Sequence, residues 1–510
     1  MSAAKQSPIS EGIVSGFALA MIVDKDMNML FAALLTQEQA ERIHDASLEI
    51  LEDVGLLVRY KKARTIFASH GCIVDLEKHN VKFPRSVVEK YRRMMPPAFT
   101  FHGRDPKYNR TIPQDSPIIV TGSSAPNILD PVTGNERRSR SDDIARIAHL
   151  INELPGYDIF SVSVLADDAP DGQFSLARLY PALKYCLKPV RISSKDLDDA
   201  KMILRLGSLI AGSDEAYRER PFITHHYCPV VSPLTMDNLS TEAIVYFCEQ
   251  QLPVYPTIVP NAGLTSPMSI AGTVAQGNAE FLAAAVLMQM VHESTPLIYA
   301  TLPTVADMRT GAYASGGIEC AILHMALAQM AHFYNVPSGG YIGLTNSKIN
   351  DAQSGYESGM STTAGVLAGM DMLNMGGLLE ALKVFDFAKA VIDDEIAQML
   401  KRLKRGVEFS EKNLALDVIK KIGPGGSFIV EPHTMKRMKN VALLTKLSDR
   451  DTRTQWQKNG SLDTQACAML RVRDILSHES TAIFSPEVDA RIRAEYTNLV
   501  SGKLEMPEGW

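Results

Sequence analysis

Leu297-Ile-Tyr-Ala-Thr301, Ile318-Glu-Cys-Ala-Ile-Leu-His-Met-Ala-Leu-Ala-Gln-Met330 and Gly339-Gly-Tyr-Ile-Gly343 follow one another along the chain, and their reading sets the fold. The outer two are short apolar runs of strand length, whereas the middle one repeats apolar side chains at helical spacing. Strand, helix and strand in that order make a βα repeat, the building unit of a parallel sheet. The same alternation extends in both directions. Strands are predicted at Ile118 to Thr121, Ile159 to Leu165, Val190 to Ser193, Phe222 to Tyr227, Val254 to Val259, Leu297 to Thr301, Gly339 to Gly343 and Met370 to Asn374. Helices are predicted to begin near Ser141, Gln173, Leu197, Thr235, Ile270, Gly316, Gly355 and Leu378. Eight such repeats close as a barrel rather than an open sheet, so the expected class is α/β, a (β/α)8 TIM barrel.

Outside the barrel the pattern changes. Thr36 reads as the N-cap of a helix with Ile43, Ala46, Ile50, Leu51 and Val54 on one apolar face, ended by Gly55. Residues 35–107 then read as an N-terminal α/β cap, 108–386 as the barrel and 387–510 as a C-terminal helical extension packed on it. Residues 1–34 form an extension whose apolar stretch, Ile13 to Val23, is too short to span a bilayer. Met27 and Met29 offer an alternative start to the chain. Gly423-Pro-Gly-Gly426 lacks the Lys-Ser or Lys-Thr of a phosphate-binding loop and reads as a turn.

The chain has 510 residues, 45% of them hydrophobic, and a formal net charge of -6, which suits an ordinary globular core and gives no basic surplus for nucleic acid or an anionic membrane. Its six cysteines are scattered with no Cys-x-x-Cys pair, as expected of reduced thiols in a cytoplasmic protein.

In a barrel of this kind reactive groups stand where strands pass into the following loops. The residues there are Thr121-Gly-Ser123, Asp167-Asp168, Ser193-Ser-Lys195, His225-His-Tyr-Cys228, Pro260-Asn261, Thr301-Leu-Pro303, Leu344-Thr-Asn346 and Asn374-Met-Gly376. They are mostly polar, neutral or aromatic, with no evident nucleophile and base pair. His225-His-Tyr-Cys228 invites a zinc reading, but neighbouring side chains on a strand face opposite ways, so one histidine alone enters the barrel and no bound metal is expected. Lys195 and Lys348 are the candidates for a covalent lysine, as in an aldolase-like lyase, against the plainer reading of surface lysines on loops.

The run Gly343-Leu-Thr-Asn-Ser-Lys-Ile-Asn-Asp-Ala-Gln-Ser-Gly-Tyr-Glu357 resembles the trimethylamine methyltransferase family, whose members carry a similar Asp-Ala-Gln-x-Gly-Tyr-Glu stretch after a barrel strand. Leu35-Thr-Gln-Glu-Gln-Ala-Glu-Arg-Ile-His44, Asp130-Pro-Val-Thr-Gly134, Gly423-Pro-Gly-Gly-Ser-Phe428 and His433-Thr434 resemble the same family in the same order. The resemblance spans Leu35 to Leu476. It implies a (β/α)8 barrel, a methylated amine as donor, and a separate corrinoid protein as acceptor. Archaeal members place pyrrolysine just before the Thr345-Asn-Ser-Lys348 stretch, where this chain has Leu344. The chain thus resembles the pyrrolysine-lacking branch, whose substrates are glycine betaine and similar quaternary amines.

That resemblance points to no covalent catalytic residue. It points to substrate contacts at the strand ends: His225 or His226, Tyr227, Asn261, Arg309, Tyr341, Asn346 and Tyr356, the tyrosines as aromatic faces for a quaternary nitrogen and the others as donors to a carboxylate. Tyr299 and Tyr313 are further candidate faces, and Lys348 a further donor. None of the twelve histidines has Asp two residues before it, so the Asp-x-His-x-x-Gly motif that ligates cobalamin is absent, and the corrinoid is expected on the partner protein. A homo-oligomer is expected, with neither nucleic acid nor membrane as partner. A non-catalytic betaine-binding protein is the rival outside enzymes.

Overall fold

The computed structural model describes residues 20–23 and 30–510. Most of the expected extension, with Met27 and Met29, lies outside them. The eight expected strands are all present: β1 (Ile118–Val120), β2 (Phe160–Ser161), β3 (Val190–Ile192), β4 (Ile223–Tyr227), β5 (Val254–Ile258), β6 (Tyr299–Thr301), β7 (Ser338–Tyr341) and β8 (Met372–Asn374). They pair in parallel in the order β2-β3-β4-β5-β6-β7-β8-β1, and a bridge between Val120 and Ile159 joins the two ends, making a (β/α)8 barrel.

Each strand leads to a helix: α1 (Ser141–Glu153), α2 (Phe174–Tyr185), α3 (Leu197–Ala211), α4 (Leu239–Glu249), α5 (Ile270–Val291), α6 (Ile318–Phe333), α7 (Ala352–Leu367) and α8 (Phe387–Lys404). Side-chain caps start several of them. Asp196 accepts from the Asp199 amide at α3, Asp351 from that of Ser354 at α7, and Asp386 from those of Ala388 and Lys389 at α8.

Two helices depart from expectation. α4 starts at Leu239 rather than near Thr235, because Thr235–Met236 pairs with Leu57–Val58 and extends the sheet of the cap. Near Leu378 no helix forms: Leu378–Leu379 makes a hairpin with Val384–Phe385, after Gly376 and Gly377, both in the left-handed region. At Gly376 a Cβ would stand 2.3 Å from the Tyr157 hydroxyl, so this approach requires glycine. Helix α8, which falls in the expected C-terminal extension beyond residue 386, is therefore the eighth helix of the ring.

The opening helix Gln37–Glu49 is capped as expected, with Thr36 and Gln39 exchanging side-chain and backbone hydrogen bonds. His44 bonds the Tyr334 hydroxyl (3.0 Å), Asn278 bonds the same hydroxyl (2.8 Å), and Tyr299 donates to Asn278 (2.9 Å), which ties this helix through α5 and α6 to the outer face of β6. α5 is long and apolar enough to cross a membrane, but it is buried from Thr273 to Met290 between the barrel and the opening helix. After α8 the short helices Glu411–Leu414, Leu416–Ile422 and Pro432–Val441 contain no buried residue, and Gly423-Pro-Gly-Gly426 is the turn between the last two. Helix Thr464–Leu476 returns to the barrel, where His149 of α1 meets the Ile475 carbonyl at 3.2 Å.

Candidate active site

Strand register decides which side chains enter the barrel, because residues paired across parallel neighbours share a face. Ser161 pairs with Arg191, Arg191 with Thr224, His226 with Tyr255, Thr257 with Ala300, and Tyr341 with Asn374. Arg191 reaches Ser161, Tyr255 and Tyr341 through its side chain, so these residues face inward. Barrels of this class usually fill that space with bulky branched residues; this one fills much of it with polar groups.

At the centre, Arg191 donates from Nε to Ser161 Oγ (3.0 Å) and from its two terminal nitrogens to the hydroxyls of Tyr255 (2.8 Å) and Tyr341 (3.0 Å). The Tyr341 hydroxyl also lies 2.8 Å from Ser123 Oγ and 3.0 Å from His226 Nε2. Arg191 is 0% exposed, and among the described residues no carboxylate bonds or pairs with it. Burial, followed by the charges of Arg191 and Arg178, holds the His226 imidazole well below its ordinary range, so the ring is neutral. Tyr341 accepts from Arg191, and its own proton is shared between His226 Nε2 and Ser123 Oγ as acceptors. His226 Nδ1, Thr257 Oγ1 and both amide atoms of Asn374 have no hydrogen-bond partner. Two residues beyond His226, Cys228 exposes surface although burial, with the Asp237 charge, pushes its thiol up to about 11.

Of the expected contacts, His226 and Tyr341 meet inside the barrel. His225 points outward and stacks on Phe247 of α4, ring centroids 3.6 Å apart, with both ring nitrogens unpartnered. Tyr227 turns the same way and bonds Ser194 Oγ at 2.8 Å. Asn261 is buried just beyond β5, its Oδ1 unpartnered. Asn346 is engaged with the Gly316 amide (2.8 Å) and the Tyr313 carbonyl (2.9 Å). The Arg309 side chain is 88% exposed at a hairpin tip, paired with Asp307. Tyr356 is 54% exposed on α7. Tyr299 faces outward, and Tyr313 is half-buried in the loop after β6. Arg191 and Tyr255 are not among the expected contacts; a lone charge between Val190 and Ile192 in an apolar strand is the signal that could have found the first.

The family-like run after β7 builds the loop carrying Leu344. Glu357 accepts from Thr345 Oγ1 (2.6 Å), the Asn346 amide (2.8 Å) and the Gln353 side chain (2.9 Å). A Cβ on Gly316 would stand 2.3 Å from this carboxylate, so the glycine lets the neighbouring loop close on it. Leu344 is buried but outside the contiguous core cluster that includes Ile342. Leu344→Ala is expected to cost about 2 kcal/mol of stability, seen by urea denaturation, with little change in turnover.

Lys195 and Lys348 are exposed, the latter bonding the Asn346 carbonyl. Burial lowers Lys184, Lys404 and Lys188, the last to about 8, but Lys188 donates to the carbonyls of Ile151, Leu154 and Tyr157 before the start of β3, the end of the barrel opposite the mouth. Among the described residues no group of three or more His, Cys, Asp or Glu is placed to hold a metal ion.

Comparison with known proteins gives the family. The family model "Trimethylamine methyltransferase (MTTB)" matches residues 17–503. The chain is 33% identical to a glycine betaine methyltransferase of Desulfitobacterium hafniense (strain Y51), over 90% of this chain and 96% of that one. It is 30% identical to a trimethylamine methyltransferase of D. hafniense (strain DSM 10664 / DCB-2), over 96% of each, and 30% identical to that of Methanosarcina barkeri, over 88% and 92%. Among solved structures, the Methanosarcina barkeri monomethylamine methyltransferase aligns with a TM-score of 0.49 at 13% identity, covering 86% of this chain and 92% of that one. With a family model over nearly the whole chain and relatives at 30% identity or above along most of their length, this protein belongs to the trimethylamine methyltransferase family and is a methyltransferase.

Proposed function

We propose that the protein moves a methyl group from a quaternary amine of the glycine betaine kind to Co(I) of a corrinoid held by a separate carrier protein, releasing the tertiary amine. Identities of 33% and 30% are too close to choose the donor, so the reading rests on one observation: the residue before Thr345 is a buried leucine, whose side chain is neither an acid nor an electrophile, and the nearby Glu357 carboxylate is taken up by Thr345, Asn346 and Gln353. In a quaternary donor the nitrogen is already cationic. Its bond to the methyl carbon breaks with the electron pair going to nitrogen, so a neutral amine leaves and no proton has to be delivered. Co(I) supplies the nucleophile; this chain has to hold and orient the donor. Tyr313, half-buried in the loop after β6, is a tyrosine whose face supports that role. Trimethylamine, mostly protonated near neutral pH, requires an activating group that Leu344 does not provide.

The test supplies reduced cobalamin with glycine betaine, proline betaine, carnitine and trimethylamine in parallel and follows methylation of the cobalamin by absorbance. Turnover with a quaternary compound and at most about one hundredth of that with trimethylamine is expected, a difference of about 3 kcal/mol in the barrier. Equal or faster use of trimethylamine removes the reading. Release of the demethylated amine distinguishes an enzyme from a binding protein. A cytoplasmic homo-oligomer is part of this proposal, supported by the uncovered apolar residues Val407, Phe409, Ile429 and Val430, and light scattering of the purified chain checks the oligomer.

A further inference from the structure

Arg191 is a formal charge held inside the barrel without a counter-charge. Its partners are a serine and two phenols, and the neighbouring imidazole is neutral, so the described interior carries a net positive charge. Arg178 adds a second buried guanidinium nearby; it donates to Ser124 Oγ and to the carbonyls of Val162 and Val164, and among the described residues Asp199 is the carboxylate that acts on it. A buried cation is costly unless something opposes it. Five N–H donors belong to each guanidinium, and Arg191 uses three on the protein.

On the reading proposed above, we infer that the substrate is a zwitterion whose carboxylate points down the barrel toward the Arg191 charge, with the methylated nitrogen held outward at the mouth. Arg191 is 0% exposed, whereas Tyr341 and His226 keep 6% and 8% of their surface open, so Arg191 acts through the layer above it as a positioning and selecting charge. The amide of Asn374, paired in register with Tyr341, has no hydrogen-bond partner, and His226 Nδ1 has none within hydrogen-bond geometry. These are the groups that would take up the carboxylate. The Arg191 guanidinium already covers the Tyr341 ring, 5.2 Å from its centroid, so the cation site on that face is occupied by the protein itself. A second cation has to stay further out, where a carrier-bound acceptor can reach its methyl group. A methylated amine without a carboxylate meets only repulsion from this floor.

The test is calorimetric titration of the chain alone with glycine betaine, choline and tetramethylammonium, then demethylation of the same compounds with reduced cobalamin. Glycine betaine should bind about 100-fold more tightly than either cation. Arg191→Met should reduce that ratio to a few-fold and Arg191→Lys should retain part of it, with circular dichroism reporting whether each is folded. If Arg191→Met does not fold, Tyr341→Phe, which keeps the ring and breaks the link from Arg191 to His226, serves in its place and should raise KM for glycine betaine with a smaller effect on kcat. Choline or tetramethylammonium bound and demethylated as well as glycine betaine overturns the carboxylate assignment and leaves the quaternary-amine reading standing. No demethylation of any of the three, nor of proline betaine or carnitine, overturns both.

Discussion

Glu357→Ala should cost about 3 kcal/mol of stability and slow methyl transfer about 100-fold. Three donors, Thr345 Oγ1, the Asn346 amide and the Gln353 side chain, would lose their acceptor together, and the loop after β7 would no longer be fastened to α7. Bonds to a charged acceptor are the stronger kind, and groups left unpaired inside a protein keep their desolvation cost. Turnover suffers because the loop hangs from Tyr341, the last residue of β7, whose hydroxyl links Arg191 to His226. For a chain of this length the corresponding fall in Tm is about 3 °C. Gly316→Ala should produce the same defect from the other side, by pushing a methyl group into the carboxylate. If Glu357→Ala keeps wild-type kcat and its urea midpoint, the clamp has no role in holding the site.

Acidification gives the second large effect. Burial lowers the His225 imidazole to about 3 and that of His324 to about 4, the latter partly offset by the Tyr341 carbonyl. Unfolded, each takes up a proton as the pH falls below about 6.5, which the folded protein refuses. Stability from each is therefore complete above about pH 6.5 and declines as the pH drops toward the folded value, by about 2 kcal/mol per histidine at pH 5. His225→Phe keeps the flat stack on Phe247 and removes one titrating ring. Its loss of unfolding free energy between pH 7.5 and pH 5 should be smaller than that of the wild type by about 2 kcal/mol. Buried carboxylates such as Glu280 and Asp386, raised by burial, act in the opposite sense but equally in both proteins, so the difference isolates His225. Identical acid sensitivity of the two proteins would show that His225 is protonated in the fold or bonded there.

The barrel was legible because short β-branched and apolar runs alternate with helices whose starts carry Asp caps, and both signals are local. The failures arose where distant chain intervened. Nothing near Thr235 announces that it will pair with Leu57, and Leu378–Leu379 joins a hairpin through two glycines that a helical reading passes over. In the site, alternation stated that one of His225 and His226 enters the barrel. Which one depends on register against β3 and β5, a property of neighbouring strands rather than of the dipeptide. The strand-end tyrosines divided for the same reason, Tyr341 inward and Tyr299 outward. Arg191 escaped notice because charge was sought in the loops, although a three-residue strand buried on both faces leaves an arginine only the interior.

The fastening of the loop after β7 makes no use of residue 344. Glu357 grips Thr345 and Asn346, Asn346 grips the loop before α6, and the Ala381 amide holds the Thr345 carbonyl at 2.8 Å. Leu344 supplies volume and nothing that the backbone leans on. The position is a socket, and what sits in it is a replaceable fitting: a reactive side chain could be removed and an inert one inserted with the surrounding backbone unmoved. Side-chain chemistry and scaffold are thereby uncoupled at this one residue, so the barrel that presents it does not depend on which side chain it carries.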